Sequence, residues 1–237
     1  GNKSRGSDME EIDYSSARCL YDGVPENMPD LDAAEMVRAI LAVENVYAGA
    51  AREISTKLEN LNDEFRFTMD RNPIHSINTR IKTPKSISDK LKRKGYDLNF
   101  ESAKKNLDDI AGVRVICSYI NDIYMIADFL TGQDDITLLR KTDYIQAPKP
   151  NGYRSLHLVV TVPVFLHKHT EIVKVEVQIR TIAMDFWASL EHDMAYKFPG
   201  GKTEEMIREL KDCADVISET DARMQKLYDV ITGSQTP

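Results

Sequence analysis

Ile172-Val173-Lys174-Val175-Glu176-Val177-Gln178-Ile179 alternates apolar and polar side chains in step with a strand. Successive strand side chains point to opposite faces, so Val173, Val175, Val177 and Ile179 line one face. Ile172, Lys174, Glu176 and Gln178 line the other. The wholly apolar face requires a hydrophobic layer against it, whereas the mixed face is left for solvent or for a site. Buried carboxylates are rare unless paired or metal-bound, so Glu176 in mid-strand is a candidate for chemistry. A solvent-facing Glu beside Lys174 and Gln178 is the bland alternative.

Working outward, other segments complete a sheet around this strand. Val113–Tyr119 reads as a buried strand, Ile136–Ile145 and Ser155–Val164 as two more, and Ile74–Lys82 as a short one. Helical spacing of Val37, Ile40, Leu41, Tyr47, Ala51, Ile54, Leu58, Leu61 and Phe65 predicts a long first helix, opened by Asp32 and Glu35 and broken at Asn72-Pro73. Ser86–Lys94 forms a helix after Pro84, ended by Gly95. Further helices are predicted over Asp122–Leu130, Ile182–Phe198 and Glu204–Ile231. The fold class is therefore α/β (α+β), a mixed sheet of about five strands flanked by helices. Residues 1–29 read as a flexible tail, 30–232 as one domain and 233–237 as a second tail.

Composition limits the functions available. Apolar residues make up 42% of the chain and charged residues 29%, which suits a packed, soluble domain. No apolar run approaches the roughly 20 residues that span a bilayer, so no membrane partner is expected. Gly1–Ser7 has no apolar core and reads as an expression scar or disordered tail rather than a signal peptide. Cys19, Cys117 and Cys213 are odd in number and far apart, which fits a reducing cytoplasm and argues against a disulfide framework or zinc site. A net charge of −7 argues against DNA binding, whose affinity comes from neutralising phosphates. Yet Arg80, Lys82, Lys85, Lys90, Lys92, Arg93 and Lys94 crowd one short segment opposed only by Asp89, the pattern of a local polyphosphate site. Lys82, Lys85 and Lys92 cannot all share a face with Arg80, so part of that segment is solvated.

Three further motifs carry chemistry. Asp108-Asp109 stands just before the buried strand Val113–Tyr119 and could supply a metal ligand or merely cap a turn. Two carboxylates on neighbouring strands beside a phosphate site would suit magnesium, which takes one or two carboxylates with waters and substrate phosphates. Pro148-Lys149-Pro150-Asn151-Gly152-Tyr153-Arg154-Ser155-Leu156-His157 is a turn launching a strand, with an aromatic that could stack a base and a His four residues on. His192-Asp193, on a late helix, and His167 and His169, in a turn, lack the partners of a hydrolytic metal site.

Together these segments resemble the small alarmone synthetases, the single-domain members of the RelA/SpoT family, over roughly residues 74–228. The residues that carry the resemblance are R-I-K-T-P-K-S-I-S-D-K-L-K-R-K from Arg80, D-I-A-G-V-R-V from Asp109, N-G-Y-R-S-L-H from Asn151, V-E-V-Q-I-R-T from Val175 and M-D-F-W-A-S-L-E-H-D-M-A-Y-K from Met184. The resemblance implies a nucleotidyltransferase-like fold and synthesis of (p)ppGpp: the 3′-oxygen of GDP, GTP or GMP attacks the β-phosphorus of ATP and AMP leaves. It also implies Mg²⁺ at Asp109 and Glu176, with Glu176 binding metal or activating the acceptor hydroxyl. By the same carry-over, Arg80 and Arg114 sandwich adenine, and Lys82, Ser86, Lys90 and Arg93 hold the ATP phosphates. Tyr153 stacks on guanine, and Lys149, Asn151, His157 and Gln178 surround the acceptor.

The long members' hydrolase and regulatory regions have no counterpart here, so synthesis without degradation is expected. In one product-binding subgroup Ser76 corresponds to an aromatic and Asp185 to an amide-bearing residue. The expected partners are ATP, guanosine nucleotides and further copies of the chain, as a tetramer. The repeats Met206, Cys213, Thr220, Leu227 and Leu210, Ile217, Met224, Ile231 offer the seam for that assembly, or pack on the parent domain. The rivals are a toxic relative that modifies tRNA or adenine nucleotides, and a non-catalytic nucleotide or RNA sensor.

Overall fold

A computed structural model describes residues 33–69, 71–197 and 203–233. Of the proposed tails, 1–29 and 233–237, all but Gly233 lies outside the described residues, as does the Asp32 cap. Among the described residues, six helices and five strands follow in the order α1 (Ala33–Thr68), β1 (Ile74–Ile81), α2 (Pro84–Lys94), α3 (Phe100–Asn106), β2 (Ala111–Cys117), α4 (Ile120–Thr131), β3 (Thr137–Asp143), β4 (Leu156–Phe165), β5 (Thr170–Thr181), α5 (Ile182–Lys197) and α6 (Glu204–Thr232). Every strand and helix expected from periodicity is present, with ends displaced by a few residues. α3 is the addition. Its seven residues span two turns, too short for a periodic signal to emerge.

The chain divides into two compact units. One comprises, of its described residues, Ala33–Asn45 and Lys82–Leu107; the other comprises Val46–Ile81 and the residues from Asp108 onward. In the first unit, α2 begins where Thr83 accepts a hydrogen bond from the Ser86 amide and Pro84 presets the first turn. It ends at Gly95, whose φ of 71° is left-handed. Ile87, Ser88 and Leu91 are its buried face. Lys92, Arg93 and Lys94 occupy the last turn, where the helix dipole favours cations.

The second unit holds the whole sheet, in the order β1-β2-β5-β4-β3. β2 and β5 run parallel, and every other neighbouring pair is antiparallel. Val113, Val115, Val175, Val177, Ile179, Leu156, Leu158 and Val160 are all essentially inaccessible and form the layer demanded by the apolar face of β5. α4 covers it with Ile123, Ile126, Ala127 and Leu130. Arg71 fastens the end of this layer: it grips Asp122 through two hydrogen bonds (2.6 and 2.9 Å), donates to Tyr228 (2.6 Å), and lies over Tyr119 and Tyr228.

Candidate active site

Register places the chemistry. Residues directly opposite one another across a ladder project to the same face. One row crossing all five strands therefore reads Arg80, Gly112, Glu176, Val159, Arg140, and the next reads Asn78, Arg114, Gln178, His157, Thr142. Five of the residues singled out in the sequence thus share two adjacent rows on the face opposite the buried valines. Gly112 leaves a gap between Arg80 and Glu176, since a Cβ there would meet only the Arg80 carbonyl oxygen at 3.7 Å. Arg80 and Arg114 are diagonal neighbours on adjoining strands, both exposed. Such neighbours lie about 7–8 Å apart, close to twice the ~3.5–4.0 Å contact distance of stacked atoms.

The two acids before β2 separate in role. Asp108 accepts from Lys174 (3.0 Å) and Arg140 (2.8 Å), so it ties the start of β2 to β5 and β3. Burial pushes its carboxyl up, but those hydrogen bonds outweigh burial and hold it below the usual range. Asp109, half-buried, lies three residues upstream of Gly112, the residue opposite Glu176. Asp109 and Glu176 offer hard carboxylate oxygens at one strand pair. Among the described residues no group of three or more His, Cys, Asp or Glu side chains is placed to hold a metal unaided. That donor set fits magnesium completed by water and phosphate.

Around β4 the side chains interlock. Tyr153 lies in the loop before the strand, and its hydroxyl contacts His157 Nε2 at 2.8 Å and Arg180 Nη2 at 3.3 Å. A guanidinium only donates, so the hydroxyl accepts from Arg180, while the direction of its hydrogen bond with His157 Nε2 follows the imidazole tautomer. His157 Nδ1 faces Glu176 Oε1 at 3.8 Å, too far for a hydrogen bond. Burial, reinforced by Arg180, Lys149 and Arg140, pushes the His157 pKa down to about 4. The His157–Glu176 contact is therefore no ion pair near neutrality. Burial likewise raises the Tyr153 phenol. Lys149 places its ammonium over the rings of Tyr144 (4.7 Å) and Tyr153 (4.9 Å), a cation–π arrangement. Asn151 accepts from the Tyr153 amide at 3.2 Å and so shapes the turn. Gln178 donates to Glu176 at 3.0 Å and accepts from Arg180.

Arg180 is a residue that sequence reasoning passes over, although it continues the polar alternation of β5. It is 3% exposed, donates to Tyr153 and Gln178, and approaches Asp185 at 3.6 Å. Asp185 also approaches Arg114, at 3.8 Å. Tyr144 is likewise unforeseen, packing edge-on against both Tyr153 and His157. On α2 of the first unit, Ser86, Lys90 and Arg93 fall four and three residues apart and form one stripe. Lys82 precedes the helix, and Ser86 Oγ accepts from Thr83 Oγ1 at 3.0 Å.

Comparison with known proteins gives a consistent picture. Residues 79–201 match the family model described as a region found in RelA / SpoT proteins. GTP pyrophosphokinase YwaC of Bacillus subtilis is 44% identical over 76% of this chain and 85% of its own length. Small alarmone synthetase 2 from Bacillus subtilis superposes with a TM-score of 0.71 at 42% identity, covering 78% of this chain and 96% of that one. Small alarmone synthetase 1 from the same organism, solved with its product pppGpp, gives 0.73 at 33% identity, over 78% of this chain and 94% of that one. No helix among the described residues is long and apolar enough to cross a membrane.

Proposed function

The chain belongs to the RelA/SpoT family, as a small alarmone synthetase, and on that premise we infer that it transfers pyrophosphate from ATP to the 3′-hydroxyl of a guanosine nucleotide. The observation that carries this reading is the pair of cross-strand rows, which sets Arg80, Arg114, Glu176, Gln178 and His157 on one sheet face. Relatives named as GTP pyrophosphokinases favour a guanosine acceptor over tRNA, adenine nucleotides or a sensor without catalysis.

In the reaction the acceptor 3′-oxygen forms a bond to the β-phosphorus, the bond from that phosphorus to the α,β-bridging oxygen breaks, and AMP departs. Arg80 and Arg114 hold adenine between their guanidiniums, which fixes the nucleotide so that the β-phosphorus faces the acceptor. Lys82, Ser86, Lys90 and Arg93 are assigned to the triphosphate, where their charges oppose the charge spreading over the transferring group. Tyr153 stacks on guanine, with Lys149, Asn151, His157 and Gln178 around the acceptor. Neutral His157 offers a hydrogen-bond donor rather than a charge. Glu176 receives the 3′-hydroxyl proton or, with Asp109, holds magnesium. When bound, magnesium supplies charge neutralisation to the phosphates.

The protein is proposed to act in the cytoplasm as a homotetramer. Val216, Leu227, Val230 and Ile231 on α6 are each more than half exposed, a surface suited to another copy. Static light scattering that returned only a monomer at micromolar concentration would remove the oligomer. The activity is tested by supplying ATP and magnesium with GDP, GTP, GMP, ADP or tRNA and resolving products by chromatography. AMP release should require a guanosine nucleotide bearing a 3′-hydroxyl and vanish with its 3′-deoxy form. Product on tRNA or ADP alone would overturn the reading.

A further inference from the structure

Tyr153 sits between two residues that are both fastened to the last helix. On one side Gly152, at φ 91°, lies so close to α6 that a Cβ there would meet Ala214 Cβ at 2.5 Å and Lys211 Cα at 3.4 Å. Its left-handed backbone also disfavours any larger residue. On the other side Arg154 donates from Nη1 to the Gly152 carbonyl (3.2 Å) and the Ala214 carbonyl (3.3 Å). Its Nη2 donates to Asp215 at 3.1 Å. Lys211, one turn back, holds Asp215 at 2.6 Å.

The stretch of α6 that receives the loop is itself anchored. Trp187 of α5 donates to the Leu210 carbonyl at 2.9 Å, and Thr181 at the end of β5 donates to Asp221 at 2.6 Å. The loop is thus pinned to a part of the helix that is fixed to the sheet. With its neighbours on both sides drawn onto α6, Tyr153 is left facing Tyr144, His157 and Arg180.

We propose that Arg154, Ala214 and Asp215 form a positioning clamp that presets the acceptor loop and thereby raises affinity for the guanosine nucleotide. The proposal rests on the reading of Tyr153 as the residue that meets guanine. The physical basis is preorganisation: a loop ordered before binding loses less conformational freedom on binding. None of the three residues needs to touch substrate. Loosening the clamp should therefore weaken the acceptor specifically and leave ATP affinity alone.

The test uses the full chain with two substitutions. Asp215→Asn keeps shape and removes the charge from a half-exposed pair, so a rise of about 2- to 5-fold in acceptor KM is expected. Ala214→Leu presses against Gly152, and the loop is the softer partner, so a rise of roughly 5- to 100-fold is expected. Hydrogen exchange at the amides of residues 149–154 is measured beside KM for both substrates. Exchange should quicken in both variants while the KM for ATP and the overall thermal transition of Asp215→Asn stay put. Unchanged exchange would overturn the clamp. Faster exchange with an unchanged acceptor KM, or an equal rise in both KM values, would overturn its positioning role. Tyr153→Ala separates this from the underlying reading. If that variant leaves acceptor KM unchanged, guanine does not meet Tyr153, and the proposal falls with its premise. If it raises acceptor KM while the loosened loops do not, only the clamp fails.

Discussion

The two faces of β5 use the same backbone for opposite purposes. On one, Val173, Val175, Val177 and Ile179 are each 4% exposed or less. On the other, Lys174, Glu176, Gln178 and Arg180 are hydrogen-bonded or ion-paired to one another or to residues of neighbouring elements. The apolar face tolerates any partner of suitable volume, so its cost on mutation is paid in stability. The polar face depends on which residue stands opposite which, so its cost should appear in rate and affinity. The contrast teaches that register, set by the apolar layer, is what assembles the polar one.

The first way to break that contrast is to cut the apolar layer. Leu158, inaccessible and opposite Val177, truncated to Ala should cost about 2–5 kcal/mol of stability. Urea unfolding would measure it, and both KM values of the remaining folded protein should stay within a few-fold of wild type. A selective loss of turnover without loss of stability would dissolve the division between faces. Next come Asp109→Asn and Glu176→Gln, each expected to lower turnover by about 10²- to 10³-fold with an unchanged thermal transition. Near-normal turnover in both would discard the acids as a functional pair.

Tyr153 sharpens the comparison at finer scale. Its ring supplies the stacking surface, so Tyr153→Ala should raise acceptor KM by roughly 5- to 150-fold. The hydroxyl, however, bridges Arg180 and His157. Its removal deprives both of a partner, so Tyr153→Phe should lose roughly 2- to 10-fold, well short of Ala. Steady-state kinetics of the two variants decide it: equal losses would place the whole effect in the hydroxyl, and a silent Phe variant would make the bridge inert.

The smallest effect concerns Asp221, 7% exposed and held by Thr181. Burial pushes its carboxyl up, only partly offset by the hydrogen bond. As pH rises, the unfolded chain gives up this proton first, so stability declines from the usual carboxylate range until the folded group ionises too. Asp221→Asn should therefore raise the thermal transition at pH 7, with the gain shrinking toward pH 4. A lower transition at pH 7 would show that the charged form is the one the fold prefers.

Much of this was legible in the sequence because it is local. The alternation of Ile172–Ile179, the breaks at Asn72-Pro73 and the stop at Gly95 each report on a few neighbouring residues. Strand order is not local: nothing near Gly112 says that it faces Glu176 across a parallel ladder joined by α4 and two intervening strands. The same holds for Asp108, which Lys174 and Arg140 engage from distant strands, and for Arg154, which reaches α6 some sixty residues on. The heptad seam of α6 shows the limit from the other side. Its spacing is real, but Ala214, Asp221 and Gln225 form the buried stripe, and Met206, Cys213, Thr220, Met224, Leu227 and Ile231 face outward. Periodicity alone cannot say which stripe a helix buries.

The central claim is that this sheet face directs a guanosine 3′-oxygen to the β-phosphorus of ATP, and the fate of labelled phosphate tests it most directly. With GDP as acceptor and magnesium present, label in the γ-phosphate should move to the guanosine product, and label in the α-phosphate should remain in AMP, in equal molar amounts. ADP formed with transfer of the γ-phosphate alone, or AMP and free pyrophosphate formed without a labelled guanosine product, would contradict the account.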